Sequence, residues 1–235
     1  MSESSKRALV TGASSGIGSA ICKELRKLGY RVTGVARDFS KLGSCDEAQL
    51  DYQWSLDLSD LDALETVLRN DDKEFDLLVL AAGYGDFGGV EQFSYSQISR
   101  LINTNLIANL YLCKRYLPTM KQQSLGDVVI IGSESAINGA RAGSVYCASK
   151  FALRGFAQSL RADCRNANIR IMLCNPGPVD TPFFDELNFE PVRAREFALD
   201  ATDVALAVVS ALKQAPHVVI EEIQIQPLKR SFTKK

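Results

Sequence analysis

Tyr146 and Lys150, four residues apart in Ser144-Val145-Tyr146-Cys147-Ala148-Ser149-Lys150, are the pair in this chain best suited to proton chemistry. Phe151, Ala152, Leu153 and Phe156 continue the run as a helix, which puts positions i and i+4 one turn apart on one face. A phenol titrates near ~10 in water, and a fixed ammonium beside it favours phenolate and lowers that value. A fall of two or three pH units needs roughly 3–4 kcal/mol of preferential stabilisation. A dehydrated ammonium together with a cationic cofactor ring can supply that much. The pair would then act as general acid and base near neutrality. Alone, such a pair is more often a surface aromatic beside a solvated charge, so the weight falls on what lies upstream.

Lys6-Arg7-Ala8-Leu9-Val10-Thr11 reads as a short apolar strand, preceded by a disordered tail over residues 1–5. Gly12-Ala13-Ser14-Ser15-Gly16-Ile17-Gly18 follows at once. The helical pattern Ile21, Leu25, Leu28 then runs to Gly29, and Arg31-Val32-Thr33-Gly34-Val35-Ala36 is a second strand. This is the strand, glycine turn, helix and strand order that a phosphate-binding turn requires. Glycines let backbone approach a pyrophosphate, and the helix start offers unpaired N–H groups with a partial positive charge.

Further strands are expected at Tyr52–Leu56, Phe75–Leu80, Val128–Ile131, Arg170–Cys174 and Val218–Ile225. Helices are expected at Asp60–Leu68, Ile98–Met120, from Tyr146 to about Asn166, and at Thr202–Leu212. Strands with little alternation suit a parallel sheet covered on both faces. The fold class is therefore α/β: a doubly wound, seven-stranded parallel sheet with helices on both faces and right-handed crossovers. Residues 6–235 form one dinucleotide-binding domain, with a less regular substrate segment at about 179–200. The ligand belongs beyond the C-terminal ends of the strands.

Composition narrows the classes. The 235 residues carry a net charge of −1, which gives no electrostatic footprint for nucleic acid. Nothing approaches the roughly 20 apolar residues of a membrane span, and Met1-Ser2-Glu3-Ser4-Ser5 lacks the apolar region of a signal peptide. Cys22, Cys45, Cys113, Cys147, Cys164 and Cys174 are scattered without metal spacing. They read as buried thiols, which fits a reducing, cytoplasmic compartment.

Four features stand in register: Thr11-Gly12-x-x-x-Gly16-Ile17-Gly18, Asn105, Ser133, and Tyr146-x-x-x-Lys150. Together they closely resemble the classical short-chain dehydrogenase/reductase family, over almost the whole chain. The resemblance implies hydride transfer between a nicotinamide and a carbonyl or alcohol carbon of a small to medium substrate. On that basis Tyr146 is the general acid/base and Ser133 holds the reacting oxygen. Ser135 is a neighbour that assists or substitutes. Lys150 holds the nicotinamide ribose and lowers the Tyr146 pKa, and Asn105 holds a water in a proton relay. The glycine turn, with Ser14, Ser15 and Ile17, cradles the cofactor. Asp57 and Leu58 contact the adenine, Ala82 and Gly83 lie against a ribose, and Pro176, Gly177 and Thr181 contact the nicotinamide. The family's NAD-preferring members carry an acid where this chain has Ala36. The next residue, Arg37, suits a 2′-phosphate, so NADP(H) is expected rather than NAD. Asp38 competes for Arg37, and Lys41 is a further candidate on the phosphate side.

Two departures stand out. The family's Asn-Asn-Ala-Gly reads Leu80-Ala81-Ala82-Gly83, so the hydrogen bonds that usually steady the central sheet must come from elsewhere. The ending Glu221-Glu222-Ile223-Gln224-Ile225-Gln226-Pro227 replaces the frequent Asp-Gly-Gly. A homodimer through long helices, or a homotetramer, is the expected assembly. Phe87, Val90, Ala136, Ile137, Asn138, Phe183 and Phe184 are the expected lining of an apolar or aromatic pocket. His217 reads as structural, and Lys229, Arg230, Lys234 and Lys235 read as a solvated basic tail. The alternative function is a cofactor-sensing regulator or scaffold, which loss of Tyr146 or Lys150 would favour; both are present.

Overall fold

Apolar runs of strand length alternate with stretches repeating every three to four residues, and the chain folds accordingly. The computed structural model describes residues 5–40, 42 and 50–235; Lys41 and Cys45 lie outside them. The order is β1 (Arg7–Thr11), α1 (Gly16–Lys27), β2 (Arg31–Ala36), β3 (Tyr52–Ser55), α2 (Leu61–Asn70) and β4 (Leu77–Leu80). Next come α3 (Tyr95–Ile102), α4 (Ala108–Gln123), β5 (Gly126–Ile131), α5 (Ser144–Cys164) and β6 (Ile169–Pro176). Three short strands follow, β7 (Val179–Asp180), β8 (Phe189–Pro191) and β9 (Leu199–Asp200), then α6 (Ala201–Leu212), β10 (Glu222–Ile225) and β11 (Phe232–Lys234).

Seven strands form one parallel sheet in the order β3-β2-β1-β4-β5-β6-β10. Successive side chains point to opposite faces, so two cores arise from the same strands. Ala8, Val10, Leu77, Val79 and Val129 join Ile21 and Leu25 of α1 and Val204 and Val208 of α6. Leu9, Leu78, Leu80, Val128 and Ile130 join Leu64 of α2, Leu112 of α4 and Leu153 of α5. The winding reverses between β1 and β4, paired from Ala8↔Leu77 to Thr11↔Leu80. A crevice at the C-terminal ends of these strands follows.

Thr11 ties the central sheet together where Leu80 and Ala81 stand. Its buried hydroxyl accepts from the Ala81 and Ala82 amides at 3.0 Å each, tying the end of β1 to the loop after β4.

Three expected elements need correction. The helix expected over Ile98–Met120 starts earlier, where Ser94 and Gln97 cap each other's backbone, and is interrupted by a π turn at Asn103–Ile107. Apolar spacing carries no trace of the wide turn, because burial resumes in phase after it. The last strand of the sheet begins at Glu222 rather than Val218. The basic ending is exposed, as expected, but it is not a loose tail: β11 pairs antiparallel with β8, placing Phe232 opposite Pro191 and Lys234 opposite Phe189. Glu196 takes Lys229, Glu134 takes Arg230, and the Phe184 carbonyl takes Lys235. Those acids lie 33 to 96 residues away in sequence, beyond the reach of any local pattern. His217 is exposed, and the five described cysteines are buried free thiols.

Candidate active site

The chain leaves β1 through Gly12 and enters α1 at Gly16, both with positive φ, +68° and +52°. A side chain at either would strain the backbone. At Gly18 the reason is contact: a Cβ there would lie 2.2 Å from the Gly12 carbonyl oxygen. Ser15, at the N-cap of α1, makes no side-chain capping bond, so the first-turn amides keep their donors. Gly83, after β4, is as confined, since its Cβ would approach Asn105 Oδ1 at 3.1 Å and Lys150 Nζ at 3.5 Å. Glycine turn, bare helix start and Gly83 form a backbone-lined cradle of the kind a dinucleotide's phosphates and ribose need.

Four polar side chains meet beside it. Tyr146 and Lys150 project from the first two turns of α5, each almost wholly buried. Lys150 Nζ lies 5.8 Å from the Tyr146 ring centroid and donates to the Ile131 carbonyl at 3.2 Å. Ser133, just past β5, accepts from the Ser135 amide at 3.1 Å through Oγ, which leaves its own proton for another oxygen. The same hydroxyl acts on the Tyr146 phenol in the direction that favours phenolate. Ser135 is itself buried and faces the cavity.

Asn105 is fully buried inside the π turn. Its Oδ1 accepts from the Tyr84 amide at 3.1 Å; its Nδ2 donates to the Tyr84 carbonyl at 3.0 Å and to Ser149 Oγ at 3.1 Å. The Asn105 side chain therefore fastens the loop after β4 to α5. Its backbone carbonyl accepts from Asn109 Nδ2 at 2.8 Å.

The electrostatics run against the expectation for the phenol. Burial pushes Tyr146 up to about 12, and the opposing hydrogen bond from Ser133 does not offset it. Burial pulls Lys150 down to about 8. Desolvation is the largest influence on both groups, and it disfavours the charged form of each.

A cavity of about 750 Å³ opens over these groups. Ile17, Gly83, Pro176, Gly177 and Thr181 line one side, joining the expected cofactor residues to Tyr146 and Ser133. The other side is aromatic. Of the expected lining, Phe87, Phe183 and Phe184 are present, whereas Val90 is exposed elsewhere, Ala136 is buried beneath, and Ile137 and Asn138 do not take part. Phe189, Phe232, Arg141 and Lys234 line it unforeseen.

The sequence pattern of the family described as short chain dehydrogenase matches residues 6–191. This chain is a short-chain dehydrogenase. An uncharacterized oxidoreductase of Staphylococcus saprophyticus is 30% identical to it over 232 residues, covering 95% of this chain and 97% of that protein. The alcohol dehydrogenase of the archaeon Thermococcus sibiricus, complexed with 5-hydroxy-NADP, superposes with a TM-score of 0.84 at 26% identity, covering 96% of this chain and 98% of that one. A 4-hydroxyisoleucine dehydrogenase complexed with NADH shares the fold, with a TM-score of 0.81 at 23% identity over 94% of this chain and 97% of that one.

In this short-chain dehydrogenase Arg37 follows β2 directly, exposed and with no hydrogen bond or ion pair among the described residues. The Asp38 carboxylate accepts from the Ser40 amide at 2.8 Å and hydroxyl at 2.6 Å. Asp57 is opposed by burial, yet the Ser59 amide and hydroxyl with Arg100 and Arg37 outweigh it and hold the carboxyl below its ordinary range. Leu58 is buried beside it.

A further chain of contacts escaped the sequence. The Ser133 amide donates to Asn175 Oδ1 at 3.1 Å, and Asn175 Nδ2 donates to Glu222 Oε1 at 2.8 Å. Arg154 pairs with Glu222 at 3.1 Å, two turns beyond Tyr146 on the same helix. Asn175 is fully buried at the end of an apolar strand, and that mismatch of residue and place was the available signal.

Proposed function

We propose that this oxidoreductase reduces the carbonyl group of a small to medium substrate with NADPH, Tyr146 delivering the proton. One observation carries the reading: a buried phenol faces the same cavity as Ser133, with Lys150 one turn away. When bound, the reduced nicotinamide supplies the hydride that a carbonyl carbon accepts. The glycine turn and the start of α1 hold its phosphates, Gly83 and Lys150 meet its ribose, and Pro176, Gly177 and Thr181 border its ring.

A phenol pushed up to about 12 is fully protonated at neutral pH, the form a proton donor needs. A protonated phenol at the cavity is matched to giving its proton to the oxygen of a carbonyl as that carbonyl is reduced. Ser133, its oxygen fixed by the Ser135 amide, aligns the substrate oxygen and offsets the charge that grows there. Asn105 steadies the Tyr84 loop against α5, and a water held there would serve to reprotonate Tyr146. Arg37 supports NADP over NAD, because an exposed guanidinium just beyond β2 matches a 2′-phosphate. The NADP derivative held by the Thermococcus enzyme agrees.

The test is NADPH oxidation with a panel of ketones, aldehydes and diketones. Tyr146→Phe should lower turnover by roughly 10²–10⁴-fold while nucleotide binding, followed by fluorescence, is retained. Tight NADPH binding by the unaltered protein without turnover of any compound would replace this reading with that of a nucleotide sensor.

A further inference from the structure

The cavity wall opposite the glycine turn is aromatic, and its charge is one-sided. Phe87 stacks 5.3 Å from the Tyr146 ring and 5.1 Å from Phe189, and Phe189 lies 5.8 Å from Phe232. In β11, Phe232 and Lys234 are two residues apart and so share a face, and both line the cavity. Arg141 lines it from the loop before α5, a loop held by the 2.7 Å bond from the Gly88 amide to the Ala142 carbonyl.

Among the described residues neither Arg141 nor Lys234 forms an ion pair or a side-chain hydrogen bond. The carboxylate in the lining, Glu134, is matched by Arg230. Glu190, beside Phe189, is taken by Arg193 and Lys235. The protein as a whole is slightly acidic, so this cationic rim is a local feature and not a general bias. Cations of one sign around a cleft with apolar walls concentrate an anionic ligand there.

The geometry points to a substrate class: an aryl ketone or aldehyde that carries a carboxylate. Its carbonyl meets Tyr146 and Ser133, its ring lies along Phe87, Phe189 and Phe232, and its carboxylate reaches Arg141 and Lys234. Two ring-to-ring steps separate Tyr146 from Phe189, which stands opposite Lys234 in the β8–β11 pair. A flat body of at least one aromatic ring between carbonyl and acid suits that path. Offset and edge-on packing against phenylalanine rings favours a flat body over an aliphatic one. The planar guanidinium of Arg141 suits two carboxylate oxygens at once. This inference rests on the carbonyl-reducing reading of Tyr146 and adds to it which carbonyl compounds are chosen.

The test compares 4-acetylbenzoate with its neutral match, 4-acetylbenzamide. Calorimetric titration into the full chain saturated with NADP should show the acid binding at least fivefold tighter. That ratio should fall about fivefold in Arg141→Gln or Lys234→Gln, and should shrink as salt rises. Phe232→Ala should weaken both compounds. Equal binding of acid and amide, no binding of either, or a ratio unmoved in both charge variants would overturn the inference. Turnover is scored separately by NADPH oxidation. Preferential binding of the acid without reduction would remove the reductase reading and leave the ligand class standing. Reduction of the amide without any preference for the acid would do the reverse.

Discussion

Replacing Lys150 with methionine is expected to make the nucleotide-free protein more stable at neutral pH while abolishing its activity. The ammonium is 5% exposed, and its one hydrogen bond, to the Ile131 carbonyl, leaves two of its three donors unmatched by protein. Burial therefore prevails and lowers the pKa from 10.5 to about 8. At roughly 1.4 kcal/mol per pH unit, a charged Lys150 weakens the fold by about 3 kcal/mol. The sign follows from the depressed value: the wild type has its full stability above 10.5 and loses it as pH falls through about 8. Methionine keeps an unbranched chain and removes the charge. Urea denaturation at pH 7 should find the variant about 2–3 kcal/mol more stable, or roughly 5–10 °C in Tm. By pH 9.5 the difference should narrow to less than half. A variant less stable at pH 7, or a difference that ignores pH, would refute the claim that desolvation of this ammonium opposes folding.

Three other outcomes follow from the same structure. Thr11→Val removes the acceptor shared by two amides, so denaturation should show a loss of about 2–4 kcal/mol, with the Ala81–Gly83 loop loosened toward hydrogen exchange. Arg37→Gln should cut the preference for NADPH over NADH at least tenfold in kcat/KM; an unchanged ratio would remove Arg37 from cofactor choice. Asn175→Ala leaves the Ser133 amide without its acceptor, and kcat should fall about tenfold while the KM for NADPH holds steady. A change confined to thermal stability would make Asn175 a purely structural residue.

The centre of the sheet was legible because β1, β4 and β5 are short, largely apolar and bounded by turn residues. The glycine turn was legible because its three glycines fall between a strand and a helix. Ser133, Tyr146 and Lys150 could be placed together because β5 and α5 are adjacent in sequence and both ends point to the same crevice. What escaped depends on contacts far apart along the chain. Phe232 and Lys234 look like part of a polar ending until β8, 41 to 45 residues earlier by its paired positions, supplies a partner strand. The shift of Tyr146 upward escaped for a different reason: a charge four residues away is visible in a sequence, whereas the depth of burial that outweighs it is a property of the assembled sheet and helices. Thr11 was read as part of the glycine motif, and its second task, bridging β1 to the loop after β4, emerged only once the two strands lay side by side.

The wide turn at Asn103–Ile107 amounts to a helix that has taken in one supernumerary residue. Each residue of a regular helix rotates the chain by about 100° and advances it by about 1.5 Å. Leu101 before the turn and Leu112 after it are both buried, and a turn that absorbs the extra residue lets both flanks keep their burial, but the direction in which Asn105 projects does not survive its loss. The number of residues between two packing anchors is thus as much a determinant of this site as their identity. A lineage that dropped one here would keep its fold and misplace the link between Tyr84 and Ser149.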